Sequence, residues 1–263
     1  MQIRVFTLLF HLVWLCFFLF VELYQKLCMA RQIKSRQRVA DHGEVFTGER
    51  EVNAMLDLVK QETDRVDSRF LEPACGDGNF MAAILERKLA AARKLSVSPR
   101  TKLLDPLAFE KNSLISVASI YGVDLLMDNV LAARERLYEI WNSEYDEVLG
   151  ADANEACRNT VRFILIKNIV CGNALTLMCV DEHQNDTSRP LVFSEWTLPF
   201  NDFRIQRKDY SFAELLAAGS GSDKFKKTGE IDLFSGGLDG GACEPILLKQ
   251  YVFDYRRDDS YDR

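Results

Sequence analysis

The chain has 263 residues, 48% of them hydrophobic, and a formal net charge of −6. That is enough apolar material to bury the core of a large α/β domain and too much for a disordered chain. The acidic balance excludes a protein that holds nucleic acid by overall charge, so any such contact falls to a local patch or a partner. In chain order the first feature is an apolar run from Val5 to Val21, broken only by Thr7 and His11 and followed by Lys26, Arg31, Lys34, Arg36 and Arg38. Its length is close to that of a bilayer-spanning helix, and the basic residues after it would keep the body cytoplasmic. No small-x-small cleavage site follows, which argues against a signal peptide. A second reading starts translation at Met29, where a polar lead-in begins. We adopt that reading, which makes the protein cytoplasmic. A single-pass anchor at residues 5–21 is the alternative, and the membrane is a partner only if residues 1–28 are made.

Val52, Met55, Leu56 and Val59 repeat at helical spacing after Thr47, which reads as a cap before an acidic first turn. Arg69 to Glu72 reads as a short strand, broken by Gly76-Asp77-Gly78 before a helix over 79–95 that collects Phe80, Ile84, Leu85, Leu89 and Ala92 on one face. Ser98, Pro99, Asp105 and Pro106 mark a loop, and a helix over 113–118 leads into the strand Ile120 to Asp124. Helices over 128–141 and 156–166, a strand ending at Asn173 and a further strand Leu191 to Trp196 follow. This alternation predicts a parallel sheet covered on both faces. Ser211 and Glu214 form a capping box for a short helix, beyond which 219–227 and 235–241 read as loops and 256–263 as a polar tail. The organisation expected is an apolar segment at 1–28, a cofactor-binding domain at 29–200 and a partly disordered C-terminal extension at 201–263.

Seven cysteines without a C-x-x-C pair, and three separated histidines, predict neither a disulfide framework nor a metal site. The chemistry concentrates in Glu72-Pro73-Ala74-Cys75-Gly76-Asp77-Gly78-Asn79-Phe80. A glycine turn directly after a strand lets backbone N–H groups approach a ligand. The turn lacks the pattern of a phosphate loop, and the acids Glu72 and Asp77 suit a cationic amino-acid group better than a phosphate. Asp124, ending the next strand, is placed to accept hydrogen bonds from both hydroxyls of a ribose, and the amide of Asn173 suits an adenine edge, with Leu125 and Ala174 as apolar walls. Plainer readings stand beside these: Asp124 as a helix cap, Asn173 as a turn former, Phe46 as a hydrophobic staple and Cys75 as a packing residue.

Taken in order, Phe46-Thr47, Leu71 to Phe80, Tyr121 to Asp124 and Cys171 to Ala174 resemble the cofactor-binding motifs of N6-adenine DNA methyltransferases, over roughly residues 39–177. Arg38 to Thr47, Leu191 to Trp196 and Arg207 to Phe212 resemble small bacterial methyltransferase subunits of restriction-modification systems. The resemblance implies a Rossmann-like α/β fold, mainly a parallel sheet with helices on both faces. It also implies S-adenosylmethionine as cofactor and the adenine amino group of DNA as acceptor. On it, Phe46, Thr47, Glu72, Ala74, Gly76, Gly78, Asp124, Asn173 and Ala174 are the cofactor-binding residues. Arg31 to Arg38, and Arg204, Arg207 and Lys208 beside Tyr210, are the candidates for DNA contact.

The [N/D/S]-P-P-[Y/F/W] motif that binds the flipped base in that family is missing. The nearest stretch, Thr197-Leu198-Pro199-Phe200-Asn201, has no Asn or Asp before its proline, so no catalytic residue is assigned. Either a second restriction-modification subunit completes the enzyme or the chain is a non-catalytic cofactor-binding or scaffolding relative. An RNA or small-molecule methyltransferase is a third reading.

Overall fold

The computed structural model describes residues 38, 47–219, 246–257 and 261. Contacts divide the chain into Met1–Glu51 and Val52–Arg263. In the first unit Arg38 is helical and Thr47 is exposed, just ahead of helix α1 (Glu49–Leu58). The apolar run at 5–21, the basic positions 31–36 and Phe46 lie outside the described residues. Among the described residues no helix is long and apolar enough to cross a membrane.

In the second unit α1 buries Val52 and Leu56, while Met55 and Val59, expected on the same face, are exposed. After the short α2 (Lys60–Thr63) come β1 (Phe70–Glu72), α3 (Asn79–Leu95), α4 (Pro106–Ala118), β2 (Ile120–Asp124), α5 (Met127–Leu149), α6 (Glu155–Asn168) and β3 (Ile169–Cys171). The three strands are parallel, with β2 in the middle. Every residue of β2 but its last is buried, as a continuous apolar run in a parallel sheet requires. Two helices make each crossover, α3 and α4 between β1 and β2, α5 and α6 between β2 and β3.

α4 begins at Pro106, well before the expected 113, because Asp105 is its cap: the carboxylate accepts from the N–H groups of Leu107 and Ala108 at 3.0 and 3.2 Å. Proline at the first helical position costs no hydrogen bond there. The apolar stripe of α3 includes a charge. Lys88 is fully buried, and its ammonium donates to the carbonyls of Arg65, Val66 and Ser68 at 2.8, 3.2 and 2.5 Å. Burial pushes it down to about 7.

The expected covering of both sheet faces by helices is corrected. Phe70, Ile120 and Ile169 turn toward the core shared by α3, α4, α5 and α6. Leu71, Tyr121, Val123 and Val170 instead meet Leu191, Phe193, Tyr210, Phe212 and Leu215. Those residues belong to β6 (Val192–Thr197), β7 (Arg204–Ser211), the short α7 (Phe212–Gly219) and the approach to β6. A hairpin of β4 (Met178–Val180) and β5 (Asp186–Pro190) precedes them, and β8 (Leu247–Asp254) completes an antiparallel sheet in the order β6, β7, β8. The sheet therefore runs across the boundary expected at residue 200, and among the described residues five of the eight strands are antiparallel rather than parallel.

This second sheet is fastened to the helices by buried polar groups. Trp196 of β6 donates its indole N–H to Asn168 of α6 at 2.9 Å, amid Phe163 and Phe253. Trp141, in the helical layer, stacks on Tyr145 and donates to Ser113. Tyr255 is buried beyond β8, and its carbonyl accepts from Thr160. Arg256 lies 3.2 Å from the fully buried carboxyl of Glu110, which also accepts a hydrogen bond from the Tyr145 hydroxyl at 2.7 Å. Burial raises the Glu110 carboxyl despite these partners.

Candidate functional site

The carboxyl ends of β1 and β2 bring together Glu72, Ala74, Gly76, Gly78 and Asp124 of the residues singled out in sequence. β1 ends at Glu72, and Cys75 reaches across to β2, its N–H donating to the carbonyl of Val123 at 2.9 Å. Gly76 and Gly78 then turn the chain with φ of +52° and +85°. At Gly78 a side chain would also meet Ala133 of α5 at 3.0 Å, so both backbone angle and space require glycine. Gly78 stands at the cap of the 17-residue α3, whose first turn holds no acid and whose cap supplies no side-chain hydrogen bond. The positive end of that helix faces the turn.

Glu72 is partly buried, and burial raises its carboxyl above the ordinary range, opposed only by the N–H of Ala74. No cationic side chain among the described residues neutralises it. Asp77 differs. Arg136 of α5 holds it with two hydrogen bonds, at 3.0 and 3.3 Å, so this acid of the turn already has its cation.

Asp124 joins the two loops. One oxygen accepts from the Gly76 N–H at 2.9 Å, the other from the Leu126 N–H at 2.8 Å and the Asn129 amide at 3.2 Å. Asn129 is buried at the start of α5. Sequence reasoning missed both Asn129 and Arg136. Asn129 is a polar residue within the buried face of α5, and Arg136 lies away from that face, where only the turn's need for a counter-charge points to it.

Asn173 serves mainly the plainer role foreseen for it. Its side-chain oxygen accepts from the N–H groups of Leu175 and Thr176, its amide donates to Asp186, and its backbone pairs with Met178. Ala174 is partly buried against the second apolar cluster, Leu125 is exposed and Ala74 is exposed on the turn. Cys75 is buried within the core as a packing residue, and burial pushes its thiol far up, with Asp124 and Glu72 adding to it.

Of the second set of DNA-contact candidates, Arg207 and Tyr210 are buried, whereas Arg204 is exposed and Lys208 half-buried. Arg207 is buried to 1% exposure, sits 3.9 Å over the Tyr251 ring and pairs with Asp209, whose other partner is the Ser194 hydroxyl at 2.6 Å. Tyr210 is buried and Arg204 is paired with Asp202. A groove of about 600 Å³ between α3 and α5 is lined by Glu86, Glu139 and Glu144 with Arg93, charges that oppose a polyanion. Among the described residues no group of three His, Cys, Asp or Glu side chains is placed to hold a metal ion.

No protein-family model, curated protein or solved structure matches the chain.

Proposed function

We propose that the chain binds S-adenosylmethionine at the 72–78 turn and serves adenine-N6 methylation of DNA as a restriction-modification methyltransferase or a subunit of one. The observation that carries this reading is Glu72, a partly buried carboxylate with no counter-cation among the described residues, beside a glycine turn and the N-terminus of α3. That pairing of an uncompensated anion with a positive helix end suits the ammonium and carboxylate of an amino acid at once. Asp124, tied to Gly76, would hold the nucleoside side of the same molecule. Bound there, the cofactor supplies an electrophilic methyl group. The chain's own part is to orient it, and proximity and orientation would carry most of the rate. The fold that goes with this reading is a Rossmann-like one, supported by the parallel order β1, β2, β3 and the acid ending β2.

A specific observation favours a chain that needs a partner for catalysis, or a non-catalytic scaffold. β6 starts where Leu191 presses on Gly172, at the carboxyl end of β3, and runs down to Trp196 beside Asn168, at the start of β3. The stretch 197–201 therefore leaves β6 at the opposite edge of the parallel sheet from Glu72 and Asp124. There the Phe200 ring is covered by the Arg204 guanidinium at 4.0 Å, so it is not placed to stack on a base at the turn.

The test is calorimetric titration of the full chain with S-adenosylmethionine, with Asp124→Ala beside it, and tritiated-methyl transfer to unmethylated DNA. We expect binding that weakens about tenfold or more in the variant, as loss of a hydrogen bond to a charged group implies, and no transfer by the chain alone. Absence of binding by folded protein overturns the reading.

A further inference from the structure

The number of ribose contacts available to Asp124 follows from the hydrogen bonds it already makes. A carboxylate offers about four lone-pair positions, two on each oxygen. Leu126 N–H and the Asn129 amide fill both positions on Oδ1, and the Gly76 N–H takes one on Oδ2. All three donors are fixed by the fold. Gly76 lies in the left-handed turn, Leu126 is the cap residue of α5, and Asn129 is buried with its own N–H bonded to the Leu126 carbonyl at 3.1 Å.

We infer that Asp124 accepts one ribose hydroxyl, on Oδ2, and that Asn129 is the positioning residue that keeps Oδ1 turned away from the ligand. The inference rests on the S-adenosylmethionine reading and sharpens it, since the sequence alone allowed both hydroxyls to be held. The same Oδ2 carries the Gly76 N–H, so the nucleoside contact and the shape of the amino-acid turn share a single oxygen. A ligand that engages Asp124 therefore stiffens the turn around Glu72.

The experiment titrates the full chain with S-adenosylhomocysteine and with its 2′-deoxy and 3′-deoxy analogues. One analogue is expected to lose about tenfold to a hundredfold in affinity, the cost of one hydrogen bond to a charged group, and the other less than about threefold. In Asn129→Leu one acceptor position on Oδ1 opens to a second hydroxyl, and the ratio between the two analogues is expected to fall toward one. A merely structural role for Asn129 would weaken all three ligands alike and leave that ratio in place, which overturns the positioning role. Equal losses for both analogues in the wild type, or no loss for either, overturn the one-hydroxyl contact while leaving the cofactor reading intact. If the parent ligand itself fails to bind, the cofactor reading fails instead. The analogue series needs no variant, so misfolding of Asn129→Leu does not remove the test.

Discussion

At Glu72 a partly buried carboxylate stands without a cation among the described residues, an arrangement that opposes folding. Its carboxyl is raised in the folded chain, so the folded state binds more protons than the unfolded state across that interval, and stability falls as pH rises through it. Glu72→Gln is accordingly expected to stabilise the protein at pH 7 by ~0.5 kcal/mol and to weaken S-adenosylmethionine binding about tenfold. The stability gain should shrink as the pH drops into the carboxylate range, which urea titrations at several pH values would reveal. A variant less stable than the parent at pH 7 contradicts this account. The residue types of the turn were readable because glycine, acid and strand end fall in one short stretch. Arg207 was misread because a basic residue next to a tyrosine looks like a surface feature. Two residues on, Asp209 lies on the same face of β7, and that strand spacing was the sign of an internal pair.

Among the elements, α3 joins an apolar stripe to a single buried amine. Lys88 sits at about 7 in the folded chain against an ordinary 10.5, so between those values the unfolded state binds the extra proton and stability rises with pH. Lys88→Met is expected to lose that rise, measured as the difference between the two proteins' unfolding free energies from pH 7 to pH 10. At pH 8 it should also cost ~1–3 kcal/mol, because the carbonyls of Arg65, Val66 and Ser68 lose their donor. An unchanged pH slope would show that the amine is not what the interval reports. The helix itself was legible from its period, whereas the charge within its stripe was not, since a lysine between Arg87 and Leu89 looks solvated. The start of α4 is hidden for a related reason: Asp105-Pro106 reads as a loop signal, although a capping acid before proline is also how a helix begins.

At the scale of the whole molecule, the crossover helices and the parallel strands were readable from alternating periods, and the antiparallel sheet largely was not. β8 follows a stretch rich in glycine and serine, and its partner β7 is too polar to announce a buried strand. Yet Phe253 and Tyr255 are buried against the helical layer, and Arg256 meets Glu110 inside it. A chain ended after Gly219 should therefore lose cooperative unfolding rather than simply a tail. Removing Arg256 alone would strand a buried carboxylate, and removing β8 also opens one side of β7. Cooperative, parent-like unfolding of the shortened chain would show that residues 220–263 are a true appendage.

The indoles of Trp141 and Trp196 give that architecture its own optical readout. Trp141 is stacked within the helical layer, while Trp196 is held by Asn168 where the antiparallel sheet meets that layer. With Trp14 replaced by phenylalanine, emission from the two becomes a pair of dyes already built into two elements of one core, a helix and a strand. Detachment of the sheet would shift Trp196 to the red and leave Trp141 blue, so one spectrum distinguishes peeling from melting without any added label.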